Sequence, residues 1–218
     1  LVPFAPILPE DFRRKCRDYA EKGGHLLAMT MAFSRDEWGS GIFEKSPVGM
    51  TDFFGMHVVE MEPVFDGQTD APVRIGELTI RSHFWQETLE SEGAEVLGVF
   101  RDTYRDGWPV LTEHPYGKGS ALYLGTAPAP EDAPALLRWL LERCGVSMPP
   151  VEMTYGLSVV TRLSETERYV FVFNSLPREQ VCRLTRPLEA DYGIGEVRGQ
   201  TLRLPAKGFQ ILHERREG

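Results

Sequence analysis

The sequence predicts an α/β domain over residues 1–148, followed by a small all-β antiparallel sandwich over residues 151–218. Three observations carry this. A helical pattern ends on Gly23-Gly24 and runs straight into an apolar strand beginning at His25. A second helical pattern starts near Pro130. After Met148-Pro149-Pro150 the helical period disappears and short alternating runs take over. Two adjacent prolines stiffen the chain and end regular pairing, so the boundary falls there.

The elements follow in order. Leu1 to Ile7 is apolar and is expected as a strand. Pro9-Glu10-Asp11 then marks a helix start, because proline is tolerated at the first helical position and acids suit the positive end of the helix dipole. Phe12, Cys16 and Tyr19 or Ala20 share one face of that helix. The double glycine stops it, since glycine readily takes the left-handed cap conformation. His25 to Met31 is the next strand, and strand, helix, strand in this order is a parallel crossover unit. Trp38 to Glu44 is a loop, Val73 to Ile80 and Ala94 to Phe100 are strands, and Pro109–Glu113 pairs with Ala121–Leu124 around a Pro115–Gly119 turn. In the second helix Leu136, Leu137, Leu140, Leu141 and Cys144 make the apolar face, and Gly145 ends it. Beyond the prolines five short strands are expected: Leu157–Thr161, Tyr169–Phe173, Gln180–Leu184, Thr201–Leu204 and Phe209–His213. Val170 and Val172 share one face of their strand, and Phe171 and Phe173 share the other.

Composition excludes several classes of function. The 218 residues carry a net charge of -8 and no basic run. Nucleic acid and anionic membrane both require clustered Lys and Arg, so neither is an expected partner. No apolar run approaches the ~20 residues of a membrane span. The three cysteines, Cys16, Cys144 and Cys182, are odd in number and far apart, and two fall at apolar helix positions. Buried free thiols are therefore expected, which fits the cytoplasm. The chain opens on Leu1-Val2-Pro3-Phe4 without an initiator Met or a basic n-region. That reads as the interior of a domain, as in a fragment, and as no signal peptide.

Motifs for catalysis fail one after another. The five histidines are scattered and no Cys-x-x-Cys occurs, so no metal site is expected. Ser158 lies in Gly156-Leu157-Ser158-Val159-Val160, which lacks the second glycine of a nucleophile elbow. Tyr116–Ser120 hints at a phosphate loop, but Thr112 stands where the first glycine is required. Gly193-Ile194-Gly195 has no third glycine, so no dinucleotide cofactor is expected. The strand at His25 resembles in topology the class I glutamine amidotransferases, where such a strand feeds a turn carrying a nucleophilic Cys. Here it runs into Met31-Ala32-Phe33-Ser34, and the thiolate that chemistry needs is missing.

Longer stretches resemble one family. Tyr19–Leu27, Gly41-Ile42-Phe43-Glu44, Phe54–Glu60, Trp85-Gln86-Glu87, Ala94–Leu97, Gly107-Trp108-Pro109-Val110, Tyr116–Gly119, Tyr123–Thr126, Gly156–Val159 and Arg162 with Tyr169–Asn174 occur in the order and spacing of the C-terminal half of glycoside hydrolase family 42 β-galactosidases. The sequence departs from the family at Asn174-Ser175-Leu176 and near Asp191-Tyr192-Gly193. The resemblance implies an amidotransferase-like, that is flavodoxin-like, trimerisation domain lacking its first strand and helix, then the closing β domain. It also implies a parent enzyme in which a separate (β/α)8 barrel hydrolyses terminal β-galactosides with retention, and a chain that assembles as a homotrimer. A retaining glycosidase needs two carboxylates about 5 Å apart. The family's acid/base Glu directly follows an Asn, whereas Asn174, the only asparagine here, precedes Ser175. No catalytic residue is therefore expected in this chain, which meets a β-galactoside only through its parent. The alternative is a stand-alone carbohydrate-binding or scaffold protein of the same fold.

The segment from Trp38 to Phe65 concentrates apolar residues that look exposed. Ile42, Met50, Phe53, Phe54 and Met56 are candidates for a subunit interface, with core packing beneath long loops as the alternative for each. Trp38 and Phe43 are candidates either for a wall of a neighbour's sugar site, where an aromatic face packs on the C–H side of galactose, or for the subunit contact itself.

Overall fold

The structure is a computed structural model, and it describes residues 1–36, 38–40, 45–64 and 71–215. The chain divides into two compact units, Leu1–Gly145 and Val146–Gly218.

In the first unit α1 (Glu10–Glu21) begins after Pro9 and gives way to Gly23 in the left-handed region at φ 104°. β1 (His25–Met29) follows, then α2 (Thr51–Phe54), β2 (Met56–Pro63), β3 (Pro72–Ile75) and β4 (Leu78–Ser91). β5 (Glu95–Phe100), β6 (Pro109–Tyr116), β7 (Gly119–Leu124), β8 (Thr126–Pro128) and α3 (Ala133–Arg143) complete it. The strands form one eight-stranded sheet in the order β1-β7-β6-β5-β3-β4-β2, with β8 paired to β4. β1 runs parallel to β7, from His25 opposite Ser120 to Met29 opposite Leu124. The other pairs of this sheet are antiparallel.

The α/β character expected of the whole region is thus confined to one edge, and most of the sheet is an antiparallel meander. Two expected strands also differ. The strand expected over Leu1–Ile7 contracts to a single parallel bridge, Val2 with Ala28, because Pro3 and Pro6 lack the N–H that a ladder needs. The crossover through α1 is nonetheless parallel. The run Val73–Ile80 breaks into the hairpin β3–β4, because Gly76 at φ 57° turns the chain between Ile75 and Leu78.

Both faces of the sheet are covered. On β7 Ala121 and Tyr123 join the core under α1 and α2, with Cys16, Ala20, Phe33, Phe53 and Phe54. Leu122 and Leu124 join the opposite core under α3, with Val73, Ile75, Phe100, Leu136 and Leu140. This is the period-two alternation of a strand buried on both sides. Leu137 departs from the expected apolar face and is half exposed: Leu136 and Leu140 lie four apart and face the sheet, and one residue on swings about a quarter turn away.

The second unit holds β9 (Leu157–Leu163), β10 (Glu167–Asn174), β11 (Gln180–Arg183), β12 (Glu189–Gly193), β13 (Glu196–Arg198), β14 (Thr201–Leu204) and β15 (Phe209–Arg215). They make two antiparallel sheets, β12-β15-β10-β9 and β11-β14-β13. Val170, Val172 and Leu212 of the first share a core with Cys182, Leu202 and Leu204 of the second and with Leu184, just past β11. Val170 and Val172 point inward while Phe173 faces out, as the alternation requires. β12 and β13 were not among the five expected strands. β12 is exposed at every position, and so shows no apolar period. Cys16, Cys144 and Cys182 are free thiols, the first and last buried. Among the described residues no helix is long and apolar enough to cross a membrane.

Candidate functional site

The carboxyl end of β1 is built under strain. Past Met29 the chain turns through Met31 at φ 64° and Phe33 at φ 57°, both in the left-handed region. Non-glycine residues there cost on the order of 1–3 kcal/mol each and persist only when their surroundings hold them. Here the surroundings do. The Met31 N–H donates to Glu87 Oε1 at 2.9 Å, and Tyr123 Oη donates to Glu87 Oε2 at 3.0 Å. Phe33 is fully buried against Phe54, and its N–H donates to the carbonyl of Ala5. Glu87 itself is 0% exposed. Burial pushes its carboxyl above the usual carboxylate range, against the pull of those two donors.

That turn delivers the loop carrying Trp38. Asp36 Oδ1 accepts from the N–H groups of Trp38 at 3.0 Å and Ser40 at 2.7 Å, the hydrogen bonding by which Asp sets a tight turn. Trp38 is left 80% exposed. Phe43 and Ile42 lie outside the described residues.

The other interface candidates require correction. Met50, Phe53, Phe54 and Met56 are each 0% exposed, so they form core and no exposed patch. Their local sequence explains it. α2 lasts one turn and Gly55, at φ 61°, ends it, which drives both phenylalanines into the sheet. Phe53 packs edge-on against Tyr116 at 4.8 Å, and Phe54 against Tyr123 at 5.5 Å. Arg17 of α1 clamps the helix from outside: it donates to both oxygens of Asp52 at 2.8 Å and lies 5.5 Å over the Phe53 ring. That pairing holds the Asp52 carboxyl below its ordinary range.

Exposed aromatics do occur, at positions that sequence reasoning passed over. Phe84 on β4 is half exposed at φ 71°, where the register with β8 shifts between His83 and Gln86. Phe4 stands edge-on to it at 5.7 Å, and Trp85 lies 6.2 Å from it. The only local signal was the adjacent Phe84-Trp85 pair, beyond the strand expected over Val73–Ile80, and such an apolar pair normally means core.

The amino ends of β1 and β7 carry an open groove of about 490 Å³, lined by His25, Glu95, Glu113, Pro115 and Ser120 among others. Ser120 Oγ donates to Glu113 Oε1 at 2.7 Å and lies 2.9 Å from His25 Nδ1. Arg143 bridges Glu113 at 2.6 Å and Glu95 at 2.7 Å. The residue types suggest a hydrolytic triad, but the order is wrong. A nucleophilic Ser gives its proton to His, and His is oriented by the acid. Here Ser120 stands in the middle and its proton goes to the carboxylate. Asn174 is likewise structural: it is buried, and its Nδ2 donates to the carbonyls of Arg178 at 2.7 Å and Pro205 at 2.9 Å. Among the described residues no group of three or more His, Cys, Asp or Glu is placed to hold a metal ion.

Comparison with known proteins decides the family. The family described as "Beta-galactosidase trimerisation domain" matches residues 1–147. The chain belongs to that family. The β-galactosidase LacZ of Heyndrickxia coagulans is 30% identical over 216 residues, covering 97% of this chain and 32% of the relative. The β-galactosidase BglY of Alicyclobacillus acidocaldarius is 27% identical, again over 97% of this chain and 32% of its own length. The chain thus spans about a third of the curated relatives it matches. Among solved structures, the β-galactosidase from Bacillus circulans sp. alkalophilus superposes with a TM-score of 0.76 at 20% identity, over 97% of this chain and 32% of that one. The β-galactosidase of the haloarchaeon Halorubrum lacusprofundi gives 0.74 at 22% identity, over 98% and 31%. These share the fold of this trimerisation-domain protein.

Proposed function

We propose that this chain is the assembly and C-terminal portion of a family 42 β-galactosidase whose catalytic barrel is a separate part of the parent. One observation carries the reading: a trimerisation-domain match over residues 1–147 in a chain that spans only a third of its β-galactosidase relatives. The local chemistry supports it. The Ser–His–Glu set is ordered against nucleophilic catalysis, and Asn174 is spent on backbone carbonyls. On this reading residues 1–148 are a domain that forms a homotrimer, residues 151–218 are a β-sandwich domain, and the parent works in the cytoplasm on terminal β-D-galactosides with retention.

The finer fold assignment belongs here as well. An amidotransferase-like, flavodoxin-like ancestry would account for a left-handed residue directly after a parallel strand, the place where that fold presents its nucleophile. Met31 occupies it with a thioether, which neither ionises nor attacks a carbonyl. The fold is then kept for assembly after its chemistry has gone. Trp38, exposed on its hydrogen-bonded turn, belongs to the surface that a neighbouring subunit meets, as a wall of its sugar site or as subunit contact.

Light scattering combined with a chromogenic galactoside assay tests the reading. The purified chain is expected to have the mass of three copies and no turnover. A monomer at high concentration, or hydrolysis that disappears on mutating an acid of this chain, would overturn it.

A further inference from the structure

Phe84 stands apart from the other left-handed apolar residues of the first unit. Met31 and Phe33 are also left-handed, but their side chains are buried and their N–H groups have partners. Phe84 is left-handed with half of its ring in water. Within this chain it is held by a hydrogen bond from the Val64 N–H to its carbonyl, at 2.8 Å, and by the rings of Phe4 and Trp85. Phe4 is itself 48% exposed, so the cluster shields itself poorly.

The patch continues along the N-terminal segment. That segment is fixed to the β1 turn by hydrogen bonds from the Phe33 N–H to the Ala5 carbonyl and from the Arg35 N–H to the Pro6 carbonyl. Ile7 is half exposed, and it lies so close to Gly39 that a Cβ there would come within 3.4 Å of its Cδ1. Trp38 directly precedes Gly39. Trp38, Ile7, Phe4 and Phe84 are thus exposed apolar side chains on neighbouring segments, with the half-buried Trp85 beside Phe84. Five large apolar side chains gathered here, four of them exposed, mark a binding face.

We infer that this patch is the contact surface for a second copy of this chain, and that Phe84 keeps its left-handed conformation because the neighbouring copy buries its ring. All five residues lie within residues 1–147, the part that matches the trimerisation domain. A cyclic trimer requires each subunit to offer one patch and receive another, so an exposed patch of this kind is what one copy must offer. The inference rests on the trimer reading above and adds the face that carries it.

The variant Phe84→Gly separates contact from fold. Glycine adopts a φ of 71° without penalty, so the substitution deletes the ring while relieving the backbone. Sedimentation equilibrium and thermal melting of the 218-residue chain are compared with wild type. The expected result is a trimer for the wild type, and for the variant a monomer or a trimer dissociating at tenfold or more higher concentration, with circular dichroism unchanged. A variant that keeps the wild-type association overturns the patch as the contact and leaves the trimer reading standing. A wild type that stays monomeric overturns both. If Phe84→Gly fails to fold, Phe4→Ser decides by the same criteria, since Phe4 lies outside helix and strand.

Discussion

At the carboxyl ends of β1 and β7 the backbone is left-handed, a carboxylate is fully buried and large aromatic rings stand in water. At their amino ends a His–Ser–Glu–Arg–Glu chain lies along an open groove, and glycine lets backbone meet backbone. In open α/β sheets ligands gather beyond the carboxyl ends of the strands. Here that end keeps its strain, and on the contact proposed above the strain serves to present side chains to another copy. At the amino end the polar groups bond one another.

Substitutions at three positions sharpen this contrast, beginning with the largest effect. Gly119→Ala probes the amino end, where an added Cβ would lie 2.0 Å from the Gly24 carbonyl oxygen and 2.7 Å from that of Ala20. Neither atom belongs to a movable side chain, so β1, β7 and the end of α1 must part. Chemical denaturation is expected to show a loss of about 4 kcal/mol or more, in the range reserved for backbone and overpacking defects. A loss below about 1 kcal/mol would mean that this end is loosely packed, against the contrast drawn here.

Glu87 probes the carboxyl end. Glu87→Ala leaves the Met31 N–H and the Tyr123 hydroxyl without their acceptor in a dry site, at an expected cost of about 2 kcal/mol. Glu87→Gln keeps an acceptor for Met31 and tests the charge. The folded-state pKa of Glu87 is raised by burial, so the folded state holds its proton more tightly than the unfolded state does. Burying the ionised form therefore costs stability, and that cost builds as pH rises above the unfolded value of about 4.3. Relative to wild type, Glu87→Gln should be more favourable at pH 7 than at pH 4 in parallel thermal melts. A difference independent of pH would mean that Glu87 is solvated.

Ser120→Ala should have the smallest effect. It cuts the link between His25 and Glu113, but both groups line an open groove where water replaces the hydroxyl. A loss under about 1 kcal/mol is expected, with Arg143 still paired to Glu113 and Glu95. A Ser120→Ala variant that loses as much as Glu87→Ala would erase the difference between the two ends.

Much of this was legible in the letters. The acids after Pro9, the double glycine and the apolar run from His25 specify α1, its stop and β1 by local rules alone. Val170 and Val172 face the core because strand side chains alternate, whatever they meet. The resemblance to the β-galactosidases also lay in short motifs and their spacing. Where residues depend on partners distant in sequence, local pattern ran out. β12 has no apolar period and exists because Glu189–Gly193 pairs with β15. The run around α2 has the composition of a surface patch, yet Met50, Phe53, Phe54 and Met56 are core. Tyr116 and Tyr123, more than sixty residues later, provide the rings they pack on. Phe84-Trp85 has the composition of core and yet stands partly in water, because a register shift in β4 turns Phe84 outward. The sequence by itself determined α1, its stop, β1 and the alternating strands such as β10, and it carried the family resemblance. Tertiary structure decided which apolar side chains are hidden and which are offered, because burial depends on what the rest of the chain brings to the same place.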